Sequence, residues 1–355
     1  MTDLLPPLRP PVNRRRERFD GTGVGVSLAQ FPDDVRATLR AQYDRLAELL
    51  GALRRALAMP AGDGAAPGGF SHGSPDLAPS EAGRRERARA RSACGATAVD
   101  PAWNAMVRAV RTLAVRRSDV DMPEAGARAL HDVRGGAFQA LALLLELEVA
   151  GLGDDVDGLR VFYLVRDHLK IMRSVLPDID PQTRARDQVP REHGVGLLLE
   201  KWTNALHRVD GASAHVTARS GYDGAISESC LEFAALDRVL YNLLNNAARF
   251  AADREVRLDL VPLPAEAPSD LRFVVRNAMR PDHDALLRER FPDGLAPLFE
   301  GGFTTGGDGD GLALCADIVA HAYGIGVAEA VRNGHVGALR TAGEFVAWFH
   351  WPTMD

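Results

Sequence analysis

Apolar residues recur every three or four positions in the first part of the chain. From residue 32 to residue 59 this spacing, which is that of one face of an α-helix, predicts a long amphipathic helix that ends at Pro60. Residues 1–30 have no sustained period and are predicted to form a loosely ordered leader. Residues 60–80 are rich in Gly, Ala, Pro and Ser and are predicted to be a flexible linker. Residues 1–80 are therefore assigned to a leader, a helix and a linker.

Arginine is concentrated in the next segment, residues 81–122, which is assigned to a separate basic helical segment. Such a helix could dock an acidic partner, but a charged face of this kind is more often simply solvated. The arginines that define the segment are Arg84, Arg85, Arg87, Arg89, Arg91, Arg108, Arg111, Arg116 and Arg117.

Two further helical patterns follow, over residues 123–149 and residues 157–176. Pro123 suits the first turn of the first helix, and Pro177 ends the second. Together they predict a helical hairpin over residues 123–177. Because two helices alone bury little apolar surface, we expect two copies of the chain to pair, so that the hairpins form a four-helix bundle in a homodimer.

After a polar linker predicted at residues 178–192, the pattern changes to alternating strands and helices over residues 193–355. An alternation of this kind predicts an α+β sandwich, with helices over one mixed sheet. The chain is therefore expected to be multidomain, an all-α hairpin followed by this sandwich. The predicted helices are 195–207, 236–252 and 312–322, and the predicted strands are 215–219, 227–233, 256–263, 271–277, 326–331 and 345–351.

Composition restricts the possible partners. The 355 residues are 46% hydrophobic and 25% charged, which is ordinary for globular domains. With 42 basic and 48 acidic side chains the net charge is −6, which argues against nucleic acid or an anionic membrane as the main partner. The three cysteines lie too far apart for a metal knuckle or a disulfide framework and are expected to be isolated thiols: Cys94, Cys230 and Cys315.

The sequence predicts no membrane span. Residues 136–153 are the most apolar stretch, but Gln139, Glu146 and Glu148 interrupt it, so it fails the requirement of about 20 apolar residues. The N-terminal residues contain no apolar segment followed by a cleavage site, which argues against a signal peptide. We therefore expect a soluble, cytoplasmic protein, whose signal would arrive from inside the cell or from an upstream sensor protein.

His131 and Asp132 form a candidate catalytic pair near the start of the predicted hairpin. A neutral imidazole is a nucleophile, and a neighbouring carboxylate can orient the ring and take its proton. Leu130 is predicted to face the helix seam, so His131 should point toward solvent or an incoming domain. On their own these residues are an ordinary surface or core pair, and Asp167 with His168 offers another acid–imidazole pair.

A candidate phosphate site lies downstream. Asn242, Asn246 and Arg249 are spaced by four and three residues, so they share one helix face. Amide oxygens are hard ligands for Mg²⁺, and arginine pairs with phosphate oxygens. Residues 299–314 are rich in glycine and lead into an apolar helix, which exposes backbone amides for phosphate, while Thr304 and Thr305 add hydroxyl donors. A polar outer helix face and a plain surface loop are the alternative interpretations.

The histidine–aspartate pair, the asparagine-rich helix face and the glycine-rich segment, taken in this order, resemble the transmitter core of two-component sensor histidine kinases. Residues 131–134 resemble the phosphoacceptor H-box of that family, residues 242–250 its N-box, residues 299–305 its F-box and residues 307–314 its second glycine box. The resemblance covers residues 123–352. It implies a dimerisation and histidine-phosphotransfer hairpin followed by a catalytic ATP-binding domain of the Bergerat type.

The resemblance also implies individual roles. His131 would accept the phosphoryl group beside Asp132, and Asn246 would hold Mg²⁺. Asn242 and Arg249 would line the phosphates of ATP, and Gly309 and Gly311 would let the nucleotide lid approach. The full set of predicted nucleotide-binding residues is Asn242, Asn246, Arg249, Phe250, Asn277, Thr304, Thr305, Gly307, Gly309, Gly311 and Leu312.

Two segments differ from the family pattern. Asn277-Ala278-Met279 stands where the family has Asp-x-Gly-x-Gly, so adenine pairing would lack a charge-assisted bond and the lid over residues 280–297 should be stiffer or differently shaped. Gly135 and Gly136 replace the usual Thr or Asn and the proline that follows. They predict weak phosphatase activity toward a phospho-regulator, together with a helix bend or the close approach of a partner.

The expected function is ATP-dependent autophosphorylation of His131, followed by transfer to the receiver domain of a separate response regulator. The alternative is a non-catalytic histidine phosphotransfer or scaffold protein with a degenerate nucleotide-binding domain. An ATPase of the chaperone and topoisomerase group is a third possibility. It is disfavoured because those enzymes carry a water-activating Glu where this chain has Asn242.

Overall fold

The chain divides into two compact units, a helical unit within Val24–Val189 and an α+β unit within Pro190–Asp355. The computed structural model describes residues 25–57, 81–113, 124–149, 158–209, 211–264, 269–301, 311–341 and 343–354. Among the described helices, none has the length and apolar content needed to cross a membrane.

The described part of the helical unit contains seven helices. The long N-terminal helix, the arginine-rich helix and both helical patterns of the hairpin predicted from the sequence are all present, although the first hairpin pattern is interrupted. The helices are α1 Asp33–Ala56, α2 Glu81–Ala98, α3 Pro101–Thr112, α4 Glu124–Arg134, α5 Gly136–Val149, α6 Gly158–Val175 and α7 Pro181–Asp187.

The helix predicted over residues 123–149 is broken at Gly135. Helix α4 ends at Arg134, and α5 begins at Gly136. The Gly135 amide still donates to the His131 carbonyl at 2.8 Å, but the Gly135 carbonyl accepts from Phe138, three residues on, at 3.0 Å. Of the two outcomes expected from the glycine pair, the structure therefore contains the helix bend.

Helix α6 is the centre of the helical unit. All of its residues except Leu159 are buried, and α1, α2, α4 and α5 pack against it. At its start, a Cβ added to Gly158 would come within 2.3 Å of the Ala90 Cβ on α2, so glycine permits this close approach. The apolar surface of the hairpin is thus covered by helices of the same chain. A homodimer would therefore form through surfaces other than α6, and the dimeric four-helix bundle stays a prediction.

The described end of the predicted leader is attached to the end of α6. The Ser27 hydroxyl donates to Asp178 at 2.7 Å, and the Leu28 amide donates to the same carboxylate at 2.9 Å. The Val26 amide donates to the Val175 carbonyl at 2.8 Å. Residues 25–31 are therefore fixed by specific hydrogen bonds, which composition alone does not reveal. Residues 1–24 and residues 58–80, which include the linker predicted at residues 60–80, lie outside the described residues.

The α+β unit is built on a six-stranded mixed sheet, as the alternation of strands and helices predicts. The strand order is β2-β3-β5-β6-β8-β7, in which β3 and β5 run parallel and all other neighbours antiparallel. The strands are β1 His193–Gly194, β2 Ala205–Val209, β3 Ala212–Ser220, β4 Ala225–Ser227, β5 Ala251–Leu263, β6 Asp270–Met279, β7 Val336–Arg340 and β8 Glu344–Pro352, and the helices are α8 Gly196–Trp202, α9 Cys230–Phe250, α10 Pro281–Arg290, α11 Gly311–Tyr323 and α12 Val327–Arg332.

The core of the α+β unit lies between the sheet and its helices. Helix α9 packs on β6 and β5, and α11 packs on α9 and β8. Phe273 and Phe349 stack across neighbouring strands with ring centroids 4.5 Å apart. Because side chains alternate along a strand, Phe273, Val275 and Asn277 of β6 share one face of the sheet. A smaller apolar cluster of Val274, Val346 and Trp348 lies on the other face.

Three sequence predictions for this unit are wrong. The strand at residues 227–233 is mostly the start of α9, and the strand at residues 326–331 is helix α12. The helix at residues 195–207 ends at Trp202 and is followed by β2. The segment at residues 280–297, expected to be a stiffer or differently shaped lid, contains helix α10 and the start of a short 3₁₀ helix, Ala296–Phe299.

Candidate functional site

His131 lies in the last turn of α4, and its side chain is only 17% exposed. His131 was predicted to point toward solvent or an incoming domain, and its side chain keeps a small exposed fraction. Its Nδ1 atom is buried and has no hydrogen-bond partner among the described residues. The exposed part of the side chain therefore does not include Nδ1, which leaves Nε2 as the ring nitrogen that an incoming group could meet.

Asp132 is the carboxylate nearest to the buried side of this ring. Its own side chain is 3% exposed, and its Oδ1 lies 3.8 Å from His131 Nδ1. That distance is too long for a hydrogen bond but short enough for a carboxylate to attract positive charge that develops on the imidazole. The arrangement therefore gives His131 an acidic neighbour on Nδ1 and leaves Nε2 as the nitrogen that could attack.

The competing imidazole, His168 of α6, is fully buried. Burial lowers the pKa of His168 to about 3, although the negative charge of Asp132 acts in the opposite direction. Its Nε2 lies 3.1 Å from Gln42 Nε2, and its ring lies 5.3 Å from the Phe138 ring. An incoming phosphoryl donor cannot reach such a ring, so His131 is the better candidate of the two.

In the α+β unit, helix α9 carries the predicted phosphate-binding face. The helix begins where Ser229 accepts a hydrogen bond from the Glu232 amide at 3.2 Å, while the Glu232 carboxylate accepts from the Glu228 amide at 2.7 Å. This is a variant of the capping box, in which the Glu232 side chain accepts from the residue before the N-cap, and its Ser-x-x-Glu sequence is the signal that residues 227–233 include a helix start. A single uninterrupted helix then runs to Phe250, so the asparagine segment is held on a rigid element.

The structure separates the asparagines of α9 by role. Asn245 is buried, and its Oδ1 lies 2.7 Å from Nε2 of His207 on β2. Asn242 donates from Nδ2 to the Arg238 carbonyl at 3.0 Å, which leaves its carboxamide oxygen as the atom suited to a ligand. Asn246 and Arg249 are partly exposed. Asn245 therefore supports the fold, and Asn242, Asn246 and Arg249 remain the candidates for the site.

Asn277 is the predicted adenine contact, and it lies near the end of β6. Its side-chain amide donates to the Ala278 carbonyl at 3.0 Å, whereas its Oδ1 is buried and has no partner among the described residues. Met279 pairs with Ala251, the first residue after α9. The C-terminal end of β6 and the C-terminal end of α9 therefore lie at the same end of the strands. An unpaired acceptor thus lies beside the elements that carry the phosphate candidates.

Phe250, predicted to contact the nucleotide, packs against a residue that the sequence did not suggest. Its ring stacks on His283 of α10 with centroids 4.0 Å apart and an angle of 15° between the planes. The Arg280 guanidinium lies 5.8 Å from the Phe250 ring. Burial, and next the charge of Arg280, lowers the pKa of His283. At least one face of the Phe250 ring is therefore covered by protein.

Helix α10 makes the predicted lid segment stiffer, in line with the loss of the family glycines. Its acidic first turn and basic last turn suit the helix dipole, a signal that could have predicted it. Asp284 accepts from Arg288 at 2.7 Å, and Arg340 of β7 lies 3.3 Å from the same carboxylate. These two arginines lower the pKa of the Asp284 carboxyl, with the Arg288 hydrogen bond as the largest cause.

The glycine-rich segment is described only at its two ends. Gly301 has a φ of +90°, a conformation that favours glycine, and its hypothetical Cβ lies 3.5 Å from Ala313 of α11. Gly311 begins α11, and Leu312 follows it, both partly exposed. The other predicted residues of this segment lie outside the described residues: Thr304, Thr305, Gly307 and Gly309.

The chemistry of these residues fits a nucleotide with Mg²⁺. The ion commonly uses one or two protein oxygens together with phosphate oxygens and water. Asn246 offers such an oxygen, and Arg249 offers positive charge three residues on. No group of three His, Cys, Asp or Glu side chains that could hold a metal occurs in the described part of the chain. Metal binding here would therefore depend on the carboxamide and on the nucleotide phosphates.

No protein-family model matches the chain, and no curated protein matches it. Solved structures do match. The catalytic domain of histidine kinase ThkA is 16% identical, with a TM-score of 0.26, over 39% of this chain and 78% of that domain. The histidine kinase AdeS of Acinetobacter baumannii is 12% identical, with a TM-score of 0.27, over 63% of this chain and 98% of AdeS.

A third match is the histidine kinase domain of the blue-light activated histidine kinase EL346 from Erythrobacter litoralis. It is 13% identical, with a TM-score of 0.26, over 76% of this chain and 93% of that domain. At these identities and TM-scores the superpositions are partial, so the function proposed below rests on the residues of this chain. All three matches are histidine kinases, the family that the sequence motifs resemble.

Proposed function

We propose that the chain is an ATP-dependent protein histidine kinase that transfers the γ-phosphoryl group of ATP to Nε2 of His131. The observation that carries this proposal is the orientation of His131. Its Nδ1 is buried 3.8 Å from the Asp132 carboxylate, which leaves Nε2 as the ring nitrogen for an incoming phosphoryl group. The carboxylate lies close enough to act as the base once the two atoms approach to hydrogen-bond distance during the reaction.

The chemical step follows from that orientation. Nε2 of His131 attacks the γ-phosphorus, the bond from that phosphorus to the bridging oxygen breaks, and ADP leaves with the oxygen. Asp132 stabilises the positive charge that develops on the ring and takes the Nδ1 proton. Asn246 would hold Mg²⁺, which would supply positive charge for the phosphate oxygens together with Arg249. The reaction occurs within one chain or between two chains of a homodimer, after ATP reaches His131.

The phosphoryl group then passes to an aspartate in the receiver domain of a separate response regulator. Because Gly135 stands where the related kinases use a water-positioning side chain, we propose little phosphatase activity toward that regulator. The protein acts in the cytoplasm, where an upstream sensor protein supplies the signal.

The test is to incubate the full chain with Mg²⁺ and γ-labelled ATP and to map the acid-labile phosphate. We expect label on His131 and none in His131→Gln. Asp132→Asn should label about a hundredfold more slowly because the base is lost. His215→Gln, the same substitution at an exposed strand position, is the matched control and should label normally. Label that persists in His131→Gln contradicts the assignment, and ATP binding without any labelling favours the non-catalytic alternative.

A further inference from the structure

Three helices of the helical unit meet at one buried glutamine. Gln42 of α1 is 0% exposed. Its Nε2 donates to the Val133 carbonyl on α4 at 2.9 Å and lies 3.1 Å from His168 Nε2 on α6. A single side-chain amide thus connects α1 with both the helix that carries His131 and the central helix.

The bend at Gly135 explains why α4 needs this contact. The last carbonyls of a helix lack the amide donors that a continuing helix would provide. Val133 lies in that last turn and is fully buried, so water cannot supply a donor in their place. Gln42 supplies it from another helix, which satisfies a carbonyl whose isolation would be costly.

The chemistry of the three groups fixes their roles. A carbonyl oxygen only accepts hydrogen bonds, so the Gln42 atom that faces Val133 must be the amide nitrogen. His168 Nε2 must then be the unprotonated nitrogen, since it faces the same donor. The lowered pKa of His168 agrees with this neutral form. The donor and acceptor roles at Gln42 Nε2 are therefore fixed, while Gln42 Oε1 and His168 Nδ1 are buried without a hydrogen-bond partner among the described residues.

We propose that Gln42 is a positioning residue for the reaction at His131. By holding the last turn of α4 against α1 and α6, it sets the orientation of His131 and the distance from its Nδ1 to Asp132. Val133 directly follows Asp132 in that turn, so a rotation of the turn moves all three residues together. This inference rests on the proposed function and extends it to a residue outside residues 123–352, the part of the chain whose sequence resembles histidine kinases.

The test compares Gln42→Leu with Tyr43→Phe in the full chain. Leucine keeps the apolar volume and removes the donor to Val133. Tyr43 is the matched control, because its hydroxyl donates to Asp180 at 2.8 Å and also joins α1 to another segment, away from α4. We expect Gln42→Leu to lower the labelling rate of His131 at saturating ATP by about fivefold to tenfold, with the ATP dissociation constant unchanged. Tyr43→Phe should change that rate by less than about twofold.

Amide hydrogen exchange provides a second readout that does not need activity. Gln42→Leu should speed exchange over residues 131–138, and Tyr43→Phe should not. Gln42→Met serves the same purpose if the leucine variant does not fold. Equal slowing of labelling by both variants, or unchanged labelling and exchange in Gln42→Leu, overturns the inference alone. A wild-type chain that never labels His131 overturns the proposed function and this role with it.

Discussion

Asn277 presents a carboxamide oxygen that is buried and has no hydrogen-bond partner among the described residues. A buried unpaired acceptor destabilises the fold unless a ligand completes it. The residue lies two positions before Met279, which pairs with Ala251, the first residue after the helix that carries Asn246 and Arg249. At the residue scale, stability and the proposed nucleotide binding make opposite demands on this position.

Replacing Asn277 with leucine should separate these two demands. We expect the ATP dissociation constant to rise about tenfold, because the proposed acceptor for the adenine amino group is lost. The free energy of unfolding should stay within about 1 kcal/mol of wild type, since the variant also removes an unpaired buried oxygen. Calorimetric titration with ATP and urea unfolding give the two values. A large loss of stability with unchanged ATP affinity would show that the oxygen serves the fold.

The candidate site could be predicted from the sequence where its residues share a helix face. Asn246 and Arg249 are such a case, because their spacing alone places them together. Gln42 and His283 could not be predicted in this way. Gln42 contacts Val133, beside the catalytic pair, and lies in a pattern that otherwise marks an ordinary amphipathic helix. His283 contacts Phe250 and lies in the segment predicted to be a lid.

At the scale of elements, periodicity predicted the long and regular ones. The helices α1, α6 and α9 and the strands β5, β6 and β8 lie close to their predicted ranges. Short elements failed because a run of apolar residues fits a strand as well as a helix. The strand predicted at residues 227–233 shows this, since the capping box formed by Ser229 and Glu232 decides in favour of a helix.

Substituting alanine for each of two glycines, one inside a helix and one at a helix break, should change the free energy of unfolding in opposite directions. A Cβ on Gly51 of α1 would meet only the flexible end of Arg55 at 3.5 Å, so Gly51→Ala should raise the free energy of unfolding by about 0.5–1 kcal/mol. A Cβ on Gly135 would lie 2.8 Å from the His131 carbonyl oxygen. Gly135→Ala should therefore lower that free energy by about 1 kcal/mol or more.

Urea unfolding of both variants, with wild type alongside, measures these changes. Because Gly51 lies within a regular helix and Gly135 lies at the break, the pair controls for the intrinsic helix preference of alanine. A stabilising effect of Gly135→Ala would mean that α4 and α5 join into one straight helix in the variant. In that case the bend is not required by the packing of the helical unit.

At the scale of the whole molecule, both units contain buried imidazoles with lowered pKa values. Burial is the largest cause for His168 in the helical unit and for His283, His335 and His350 in the α+β unit. For His350 the hydrogen bond from its Nδ1 to Asp270, 2.8 Å long, acts against burial. Acid should therefore destabilise each unit through its neutral histidines.

The sign and size of this effect can be worked out for His168. Its folded pKa of about 3 lies below the unfolded value of 6.5, so the unfolded chain binds the proton first as pH falls. The stabilising contribution is complete above pH 6.5 and should shrink by about 2 kcal/mol by pH 5. His168→Gln keeps an acceptor for Gln42 but cannot titrate. In this variant the amides of α6 should therefore lose protection against hydrogen exchange less steeply between pH 6.5 and pH 5 than in wild type. Amide hydrogen exchange, corrected for its intrinsic pH dependence, measures this, with His215→Gln as the control. If His168→Gln leaves the pH dependence of α6 protection unchanged, His168 does not titrate with unfolding, and acid acts on the helical unit through its carboxylates.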